Sequence, residues 1–390
     1  MPTTHQTANK KLIIEAQRLF RKQKHGMDVV ALEILQRLKN IETNYQKEVV
    51  IKEDEDTCLQ TTPALNVKTL PAAFYPLWEQ RFLSKYADSQ PNAYLHCTGN
   101  TAPLWGKTPL IVTIHDLIFL EENYLLKKDG GSLYQRFGNV YRSLVVPRVA
   151  KKAAHVITVS NFQRELIIKR LKLSPSKVSV VYNGADERFF KLADDATKKR
   201  VLAKYGINDF AYIFFLANTE PRKNTDGVIK AFADMCRRYP SFSHQLVIKG
   251  LSEAQLADKI ESLGAADCKQ RFHRVGYIDY DDLPILYQGA DLLWFPSFTE
   301  GFGLPIVEAM AGGTPVITSN VSVMPEIAGE AALYVDPTKP YQLVERTMEL
   351  FSHPTLQKQL VENGFKQAAK FTWVDSVNQL LKVYQQVLSK

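Results

Sequence analysis

Two glutamates flank a glycine-containing turn in the second half of the chain. The segment SFTEGFGLPIVEAMAGGTPVIT places Glu300 just before Gly301 to Gly303, and Glu308 one turn into the apolar run that follows. A helix that begins after a Gly-x-Gly turn presents free backbone N–H groups and the positive end of its dipole, which can bind a phosphate. Carboxylates would repel that phosphate but can accept hydrogen bonds from sugar hydroxyls. The pattern therefore predicts a binding site for a sugar nucleotide, in which one glutamate binds the hydroxyls of the ribose and the other binds those of the donated sugar.

A basic pair lies in a second motif, LANTEPRKN (216–224), at the end of a strand-like run. The adjacent cations Arg222 and Lys223 could neutralise a diphosphate and stabilise the negative charge that grows on it as a glycosidic bond breaks. Taken singly, each motif is more often an ordinary surface turn or a helix charge favoured by the dipole. The occurrence of both motifs in one chain favours a site that binds a sugar nucleotide as the donor of a sugar.

The elements that must position these residues alternate between strand-like and helical patterns. Such alternation predicts parallel βαβ units in two α/β halves, joined near residues 185–195. Ligands of open parallel sheets bind beyond the carboxyl ends of the strands, so a cleft between the halves is the expected site. Helices are predicted around 133–152 and 161–172. The predicted strands lie within 109–116, 153–160, 177–184, 211–218, 244–250, 271–278, 290–297, 314–319 and 331–337.

Composition sets the broad class of the protein. A chain of 390 residues is long enough for two domains of about 200 residues each. Its 49 basic and 41 acidic side chains give a net charge of +8, which favours anionic partners. No secretory signal or membrane span is evident, so we expect a cytoplasmic protein. The acidic cluster KEDED (52–56) is interpreted as a solvated loop. The four cysteines lack any CxxC spacing, which argues against a disulfide framework or a zinc site: Cys58, Cys97, Cys236 and Cys268.

The ordered set of motifs resembles the family 4 retaining glycosyltransferases of the GT-B fold. These motifs are TIHD, VSNFQRE, YNGADERF, EPRKN and SFTEGFGLPIVEAMAGGTPVI, the last with Glu-x7-Glu spacing. The resemblance covers about residues 109–375. It implies an α/β fold with two Rossmann-like domains facing across a cleft, and a C-terminal helix that crosses back to the N-terminal domain. The implied bounds are 1–188 for the acceptor domain, 189–373 for the donor domain and 374–390 for the helix.

The resemblance also implies roles for the donor-site residues. Glu300 would hold the hydroxyls of the transferred sugar and Glu308 the ribose, while Tyr277 and Ile278 match the segment that meets the nucleobase. The remaining residues would contact the donor diphosphate through side-chain cations or backbone N–H groups: Arg222, Lys223, Gly301, Phe302, Gly303 and Leu304.

His115 in TIHDLIFLE matches the family histidine that lines the cleft near the sugar, and the neighbouring Asp116 could orient its ring. A histidine after a buried strand is otherwise often a satisfied structural group. The implied catalytic residues are His115, Lys223 and Glu300. The family retains the anomeric configuration through a front-face path and needs no metal, because side-chain cations replace it. No cofactor is expected beyond a UDP- or GDP-linked sugar as co-substrate.

Two regions depart from the family pattern. The first loop keeps Gly26 but has Met27 and Asp28 where further glycine is common, and Asp28 could cap a helix at 29–39. Asn218 stands where related enzymes often carry threonine or arginine. Strands between 41 and 95 are hard to place from the sequence.

Basic residues beside apolar ones raise the question of contact with an anionic bilayer on the inner face of the plasma membrane. Solvated charge is the alternative interpretation. The residues concerned are Lys10, Lys11, Arg18, Arg21, Lys22 and Lys24 in the first stretch, and Arg136, Arg142, Arg148, Lys151 and Lys152 in the helix 133–152.

Three functions remain open from the sequence. The first is transfer of a hexose from a nucleotide sugar to a glycan or lipid-linked acceptor, in bacterial surface polysaccharide assembly. A nucleotide-sugar-binding protein that has lost catalysis is the second. The third is a glycoside hydrolase using Glu300 and Glu308, whose carboxylates would have to face each other about 5–9 Å apart across a sugar. A nucleic-acid role has no support beyond net charge.

Overall fold

The computed structural model describes residues 10–20, 26–53, 58–71, 74–120 and 133–389. Its contacts divide the chain into two units. The first unit comprises the chain up to Asn183 together with the segment from Trp373 onward, and the second runs from Gly184 to Thr372.

A parallel sheet of seven strands forms the centre of the first unit, in the order β3-β2-β1-β4-β5-β6-β7. Its strands are rich in Val, Ile and Leu, as expected for parallel strands that are covered on both faces. Their bounds are Lys11–Glu15 (β1), Gln46–Lys52 (β2), Asn66–Leu70 (β3), Ala93–Cys97 (β4), Leu110–Thr113 (β5), His155–Thr158 (β6) and Val178–Val180 (β7).

The second unit contains a parallel sheet of six strands in the order β10-β9-β8-β11-β12-β13. The order reverses between β8 and β11, which places the carboxyl ends of these two central strands at the topological switch point. The bounds are Tyr212–Leu216 (β8), Gln245–Lys249 (β9), Phe272–Val275 (β10), Leu292–Phe295 (β11), Val316–Ser319 (β12) and Ala332–Val335 (β13).

Helices connect the strands in both units. In the first unit the described helices are Met27–Leu38, Tyr75–Leu77, the π-helical turn Trp78–Leu83, Ser84–Asp88, Leu133–Lys152, Asn161–Leu171 and Trp373–Leu388. In the second unit they are Glu187–Phe190, Asp195–Lys204, Thr225–Arg238, Glu253–Ser262, Leu283–Gln288, Leu304–Ala311, Met324–Ala328, Pro340–Ser352 and Pro354–Ala368. Among the described residues, none of these helices combines the length and the apolar character needed to cross a membrane.

The C-terminal helix Trp373–Leu388 packs in the first unit, although the second unit precedes it in the chain. Its buried face joins a core cluster with strands β1 and β2 and the helix Met27–Leu38. The apolar residues of this face recur at helical spacing: Val377, Leu380, Val383, Tyr384, Val387 and Leu388.

The α/β architecture and all nine strands predicted from residue 109 onward are confirmed. The role suggested for Asp28 is wrong, because the helix begins at Met27 with Gly26 as its N-cap, and the buried Asp28 lies in its first turn. A carboxylate there is favoured by the helix dipole instead. Of the other early motifs, residues 54–56 of the acidic cluster and Arg21, Lys22 and Lys24 lie outside the described residues, as do the side chains of Arg18 and Arg136.

Candidate functional site

Glu300 forms ion pairs with both basic residues of the EPRKN motif. Its Oε2 lies 2.7 Å from Nη1 of Arg222, and its Oε1 lies 2.7 Å from Nζ of Lys223. Arg222 also contacts Glu220, whose Oε2 is 2.6 Å from the arginine Nε. The loop after β11 and the turn after β8 therefore bring three of the predicted donor-site side chains together at the switch point of the second sheet.

The charges of this cluster depend on one another. Burial would raise the pKa of Glu300, but the positive charges of Lys223 and Arg222 and the hydrogen bonds from Lys223 and Ser297 hold it below the usual range. Burial lowers the pKa of Lys223, and the charge of Glu300 opposes that shift. The Lys223 ammonium also lies 4.8 Å from the centre of the Phe295 ring, a cation–π contact. The cluster thus holds an ionised carboxylate between two cations with little access to water.

Asn224 connects three loops at this edge of the sheet, a role that the sequence reasoning missed. Its backbone is left-handed (φ 58°), and its Nδ2 donates to the carbonyl oxygens of Pro296 (3.1 Å) and Pro337 (2.8 Å). The Phe298 N–H donates to the Arg222 carbonyl at 2.8 Å. The sequence gives one hint of this role, a glycine three residues after Asn224 near the start of a helix. In the structure, a Cβ added at Gly227 would lie 2.3 Å from Oδ1 of Asn224, so the asparagine side chain needs a glycine there.

The glycine turn leads directly into the helix Leu304–Ala311. Gly303 is its N-cap with φ 97°, a conformation that L-residues rarely adopt, and Pro305 lies in the first turn. Phe302 is buried and packs edge-on against Phe371, with ring centres 5.6 Å apart. The first N–H groups of a helix have no partner within the helix, so this turn is suited to bind an anion.

Glu308 is the fifth residue of this helix and is buried. Its Oε2 accepts a hydrogen bond from the Tyr287 hydroxyl at 2.9 Å. Burial raises the pKa of Glu308 to about 7, while the Tyr287 hydrogen bond and the positive charge of Lys249 oppose the shift. Lys249 is a residue that sequence reasoning missed, since nothing in QLVIK distinguishes it from a solvated lysine at a strand end.

The segment after β10 holds the two residues expected near a nucleobase. Tyr277 is 53% exposed, whereas Ile278 is buried. The following acidic residues are anchored by Lys204, whose Nζ lies 2.5 Å from Asp279 and 2.6 Å from Asp282. An exposed aromatic ring on an anchored segment can stack on a flat ligand.

Asn218 shapes the loop that carries the cations. Its Oδ1 accepts from the Glu220 N–H at 3.0 Å, and its carbonyl accepts from the Thr225 hydroxyl at 2.7 Å. An asparagine side chain that accepts a hydrogen bond from the backbone N–H two residues later closes a turn. Asn218, which stands where related enzymes often carry threonine or arginine, therefore stabilises the local backbone.

His115 lies in the first unit, two residues after β5, and is buried. Its Nε2 is 2.9 Å from the Thr98 carbonyl oxygen, and its backbone N–H donates to Oδ1 of Asn100 at 2.7 Å. The neighbouring Asp116 accepts a hydrogen bond from the Ile118 N–H at 3.1 Å. Gly26 and Met27 also belong to this unit, where they begin the helix that follows β1.

A cavity of about 30 Å³ lies beside His115, enough for roughly two waters. Apolar residues form most of its wall, together with the polar side chains of His96, Thr98, Thr113, Asn183 and Tyr384. In the parts of the chain that the structure describes, no group of three or more His, Cys, Asp or Glu side chains is arranged to bind a metal ion.

Two family models match the chain. "Glycosyltransferase Family 4" matches residues 15–189, and "Glycosyl transferases group 1" matches residues 197–367. Each model thus matches about one of the two structural units.

Curated relatives are similar over most of the chain. The O-antigen chain mannosyltransferase B of Escherichia coli is 29% identical over 79% of this chain and 76% of its own length. The D-inositol 3-phosphate glycosyltransferase of Salinispora arenicola is 29% identical over 73% of this chain, which spans 65% of that relative.

A solved structure has the same fold. Anabaena HepE in complex with UDP-glucose superimposes with a TM-score of 0.72, at 16% identity, over 96% of this chain and 99% of that one. Family models, relatives and fold agree, and the chain belongs to the family 4 glycosyltransferases of the GT-B fold.

Proposed function

We propose that the chain is a retaining, metal-independent hexosyltransferase. It would move a hexose from a nucleotide-diphosphate sugar to a glycan or lipid-linked acceptor in the assembly of a bacterial surface polysaccharide. The observation that carries this proposal is the cluster of Arg222, Lys223 and Glu300 beside the N-terminus of the helix Leu304–Ala311. The cluster combines cations for a diphosphate with a carboxylate for sugar hydroxyls.

The contacts support a sequence of roles. A donor diphosphate would replace the Glu300 carboxylate as the partner of Arg222 and Lys223, and the released carboxylate would accept hydrogen bonds from the transferred sugar. As the glycosidic bond breaks, the two cations and the helix N-terminus would stabilise the charge on the leaving phosphate. Because side chains supply this positive charge, no metal is required. The leaving phosphate oxygen would accept the acceptor's proton on the same face of the sugar, and retention follows.

The donor nucleotide and the acceptor are proposed from chemistry and relatives together. Glu308, with its bond to Tyr287, would accept from the ribose hydroxyls, and the exposed Tyr277 would lie against a uracil or guanine base. The similarity to an O-antigen chain mannosyltransferase supports a sugar-polymer acceptor. His115 would lie near the transferred sugar.

Contact with an anionic bilayer is a further part of the proposal. The helix Leu133–Lys152 exposes Phe137, Val140 and Leu144 on one side, and the segment 74–77 exposes Phe74 and Leu77 beside it, with the Phe74 and Phe137 rings 5.6 Å apart. We call these five residues the apolar face. Exposed cations follow these residues in the chain: Arg81 and Lys85 come after the segment 74–77, and Arg148 and Lys151 lie later in the helix Leu133–Lys152. Apolar side chains next to cations suit the headgroup region of an anionic membrane.

The membrane part is tested by co-sedimentation with vesicles. We expect the protein to sediment with vesicles containing phosphatidylglycerol and not with phosphatidylcholine vesicles, and the double variant Phe137→Ser, Leu144→Ser to lose binding. Tyr341→Ser is the matched control, since Tyr341 is 47% exposed in the second unit. Equal binding of the double variant would contradict a membrane role for the apolar face.

The transfer reaction is tested first by ligand binding. We expect one class among UDP-, GDP-, ADP- and TDP-sugars to raise the unfolding temperature in the presence of EDTA. A ligand at about 100 times its dissociation constant adds about 2.7 kcal/mol of stability. Lys223→Ala and Glu308→Ala should weaken this effect. The stabilising donor is then offered to glycan acceptors, and the anomeric configuration of the product is read by NMR.

The outcomes separate the alternatives. Donor binding without transfer to a broad acceptor panel would favour a nucleotide-sugar-binding protein. Release of sugar from a glycoside that lacks a nucleotide would support a hydrolase. Loss of activity in EDTA, restored by a divalent cation, would contradict the metal-independent mechanism.

A further inference from the structure

Glu79 lies at the centre of a buried hydrogen-bond network in the first unit. The residue has no exposed surface. Its Oε1 accepts from the hydroxyls of Tyr75 (2.7 Å) and Thr101 (2.6 Å), and its Oε2 accepts from the Tyr141 hydroxyl (2.5 Å) and from Nε2 of Gln80 (2.9 Å). A buried carboxylate is costly unless such partners surround it. None of the steps proposed above uses this carboxylate.

The network fixes the loop that follows β4. Thr101 binds Glu79 directly, and Gln80 adds two bonds, from its Nε2 to the Ala102 carbonyl (3.1 Å) and from the Leu104 N–H to its Oε1 (2.8 Å). The partners Tyr75 and Tyr141 come from the two helical segments that carry the apolar face. We call residues 98–102 the TGNTA loop. This loop has no regular secondary structure. At its start it is also tied to neighbouring strands, because the Thr98 hydroxyl donates to the Glu15 carbonyl (2.9 Å) and the Asn100 N–H donates to the Thr113 carbonyl (3.0 Å), whereas Thr101 to Leu104 are held by Glu79 and Gln80.

The TGNTA loop in turn holds His115 at two points. Oδ1 of Asn100 accepts from the His115 backbone N–H at 2.7 Å, and the Thr98 carbonyl oxygen is 2.9 Å from the imidazole Nε2. A carbonyl oxygen can only accept, so Nε2 must carry a proton, and Nδ1 is the acceptor nitrogen of the neutral ring. Asn100 adopts a left-handed backbone (φ 71°), an uncommon conformation that its surroundings must hold in place.

We propose that Glu79 is a positioning residue for sugar transfer: by holding the TGNTA loop, it fixes the location and tautomer of the His115 imidazole. This inference rests on the proposed function, in which His115 lines the site near the transferred sugar. Glu79 itself would not touch substrate. Its contribution would reach the reaction only through Thr101, Asn100 and His115.

The test measures turnover and donor affinity in the chain of 390 residues. The variants are Glu79→Leu and Glu79→Gln, with release of nucleoside diphosphate from UDP-glucose and from GDP-mannose as the assay. We expect Glu79→Leu to lower kcat at least tenfold and to change KM for the donor by less than twofold, because the donor-binding cations lie in the second unit. Glu79→Gln keeps one acceptor oxygen and should recover part of the rate.

A double-mutant cycle with His115→Ala shows whether Glu79 acts through the histidine. In the His115→Ala background, Glu79→Leu should cost less than twofold. The matched control is Glu48→Gln, another buried carboxylate of the first unit, which pairs with Lys11 at 3.0 Å and accepts from Asn66 at 2.8 Å. This control should leave kcat unchanged. Full activity of Glu79→Leu, independent effects in the cycle, or an equal loss in Glu48→Gln would overturn the proposal.

A second measurement needs no activity. In protein labelled with ¹⁵N-histidine, the His115 Nε2 resonance should move in Glu79→Leu and remain in place in Glu48→Gln. An unmoved resonance would overturn the positioning role even in an active enzyme. If the wild type releases nothing from either nucleotide sugar, the proposed function is in question, while the resonance still decides whether Glu79 positions His115.

Discussion

The two glutamates of the Glu-x7-Glu motif have opposite electrostatic surroundings. Glu300 lies between two cations, which hold its pKa low. Glu308 is buried against the Tyr287 hydroxyl, and its pKa is raised to about 7. Two carboxylates eight residues apart can therefore differ in charge near neutral pH, because the local environment determines the pKa.

The raised pKa of Glu308 predicts a pH-dependent effect on stability. A carboxyl with a higher pKa in the folded than in the unfolded state lowers stability as pH rises from about 4.5 to about 7. Glu308→Gln removes this effect, and Gln can still accept from Tyr287. We expect the gain of the variant in unfolding free energy to be about 2 kcal/mol larger at pH 8 than at pH 5. Urea unfolding at both pH values measures it.

Glu300→Gln is the control for that experiment, since the folded pKa of Glu300 is lowered. Such a group stabilises the fold above its unfolded pKa, and the contribution is lost as pH falls through the folded pKa. This variant should be less stable than the wild type at both pH 5 and pH 8. A gain in Glu308→Gln that does not grow with pH would contradict the burial argument.

Glu300→Gln also separates donor binding from transfer. The substitution removes the negative charge shared by Arg222 and Lys223, so a free diphosphate no longer competes with a carboxylate for these cations. We expect UDP or GDP, whichever binds the wild type, to bind about tenfold more tightly, equivalent to about 1.4 kcal/mol. Turnover should fall, because the contact to the transferred sugar is weakened. Isothermal titration and steady-state rates measure the two effects.

Weaker nucleotide binding by Glu300→Gln would contradict the exchange of carboxylate for diphosphate. Lys223→Gln serves as the opposite control, since it removes a cation and should weaken nucleotide binding.

The residue types in this site could be predicted from the sequence because glutamate, lysine and glycine lie in short motifs. The contacts of Asn224, Lys249 and Glu79 could not, since each joins positions far apart in the chain.

At the scale of elements, the second sheet was predictable and the first part of the first sheet was not. Strands β8 to β13 are short apolar runs bounded by turn residues, which is the typical pattern of buried parallel strands. Strand β3 (Asn66–Leu70) is an edge strand with an exposed pattern, and the segment 75–88 has Pro76 as its second residue and includes a π-helical turn. Neither carries a periodic hydrophobic signal, because neighbouring elements determine its conformation.

The glycine at the start of the helix Leu304–Ala311 gives a prediction for that element. Gly303 has φ 97°, and an added Cβ would lie 3.3 Å from Cδ1 of Ile306. Gly303→Ala should lower the unfolding free energy by about 1–2 kcal/mol, the cost of a left-handed conformation for an L-residue. It should also weaken nucleotide-sugar binding, because the N–H groups at the helix start must move. Chemical denaturation and thermal shift with donor measure both effects.

Gly138→Ala is the control for this substitution. Gly138 lies in the helix Leu133–Lys152, and a Cβ there would have no heavy atom within 4 Å. Alanine is the better helix former, so stability should stay the same or rise by up to about 1 kcal/mol. Unchanged stability and donor binding in Gly303→Ala would show that the turn tolerates a side chain.

At the scale of the whole molecule, the stability of the first unit depends on the last helix of the described chain, Trp373–Leu388. The helix Trp373–Leu388 adds six buried apolar side chains to the core around β1 and β2. Its Tyr384 hydroxyl lies 2.6 Å from Nδ1 of His96, whose Nε2 is 2.8 Å from the Thr113 hydroxyl. Burial lowers the pKa of His96 to about 3, so this connection is uncharged at neutral pH.

Truncation after Thr372 should therefore unfold the first unit and spare the second. Fully burying an apolar side chain contributes about 1.5–3 kcal/mol, so six contribute roughly 10 kcal/mol, comparable to the whole stability of a typical domain. The second unit, Gly184–Thr372, keeps its entire chain and the Arg222, Lys223 and Glu300 cluster. We expect loss of about half of the helical circular dichroism signal, while the remaining thermal transition still shifts upward with the stabilising nucleotide sugar. A stop codon after Leu388 is the control and should change neither signal. If the chain truncated at Thr372 keeps its full helical signal, the C-terminal helix is not required for the first core.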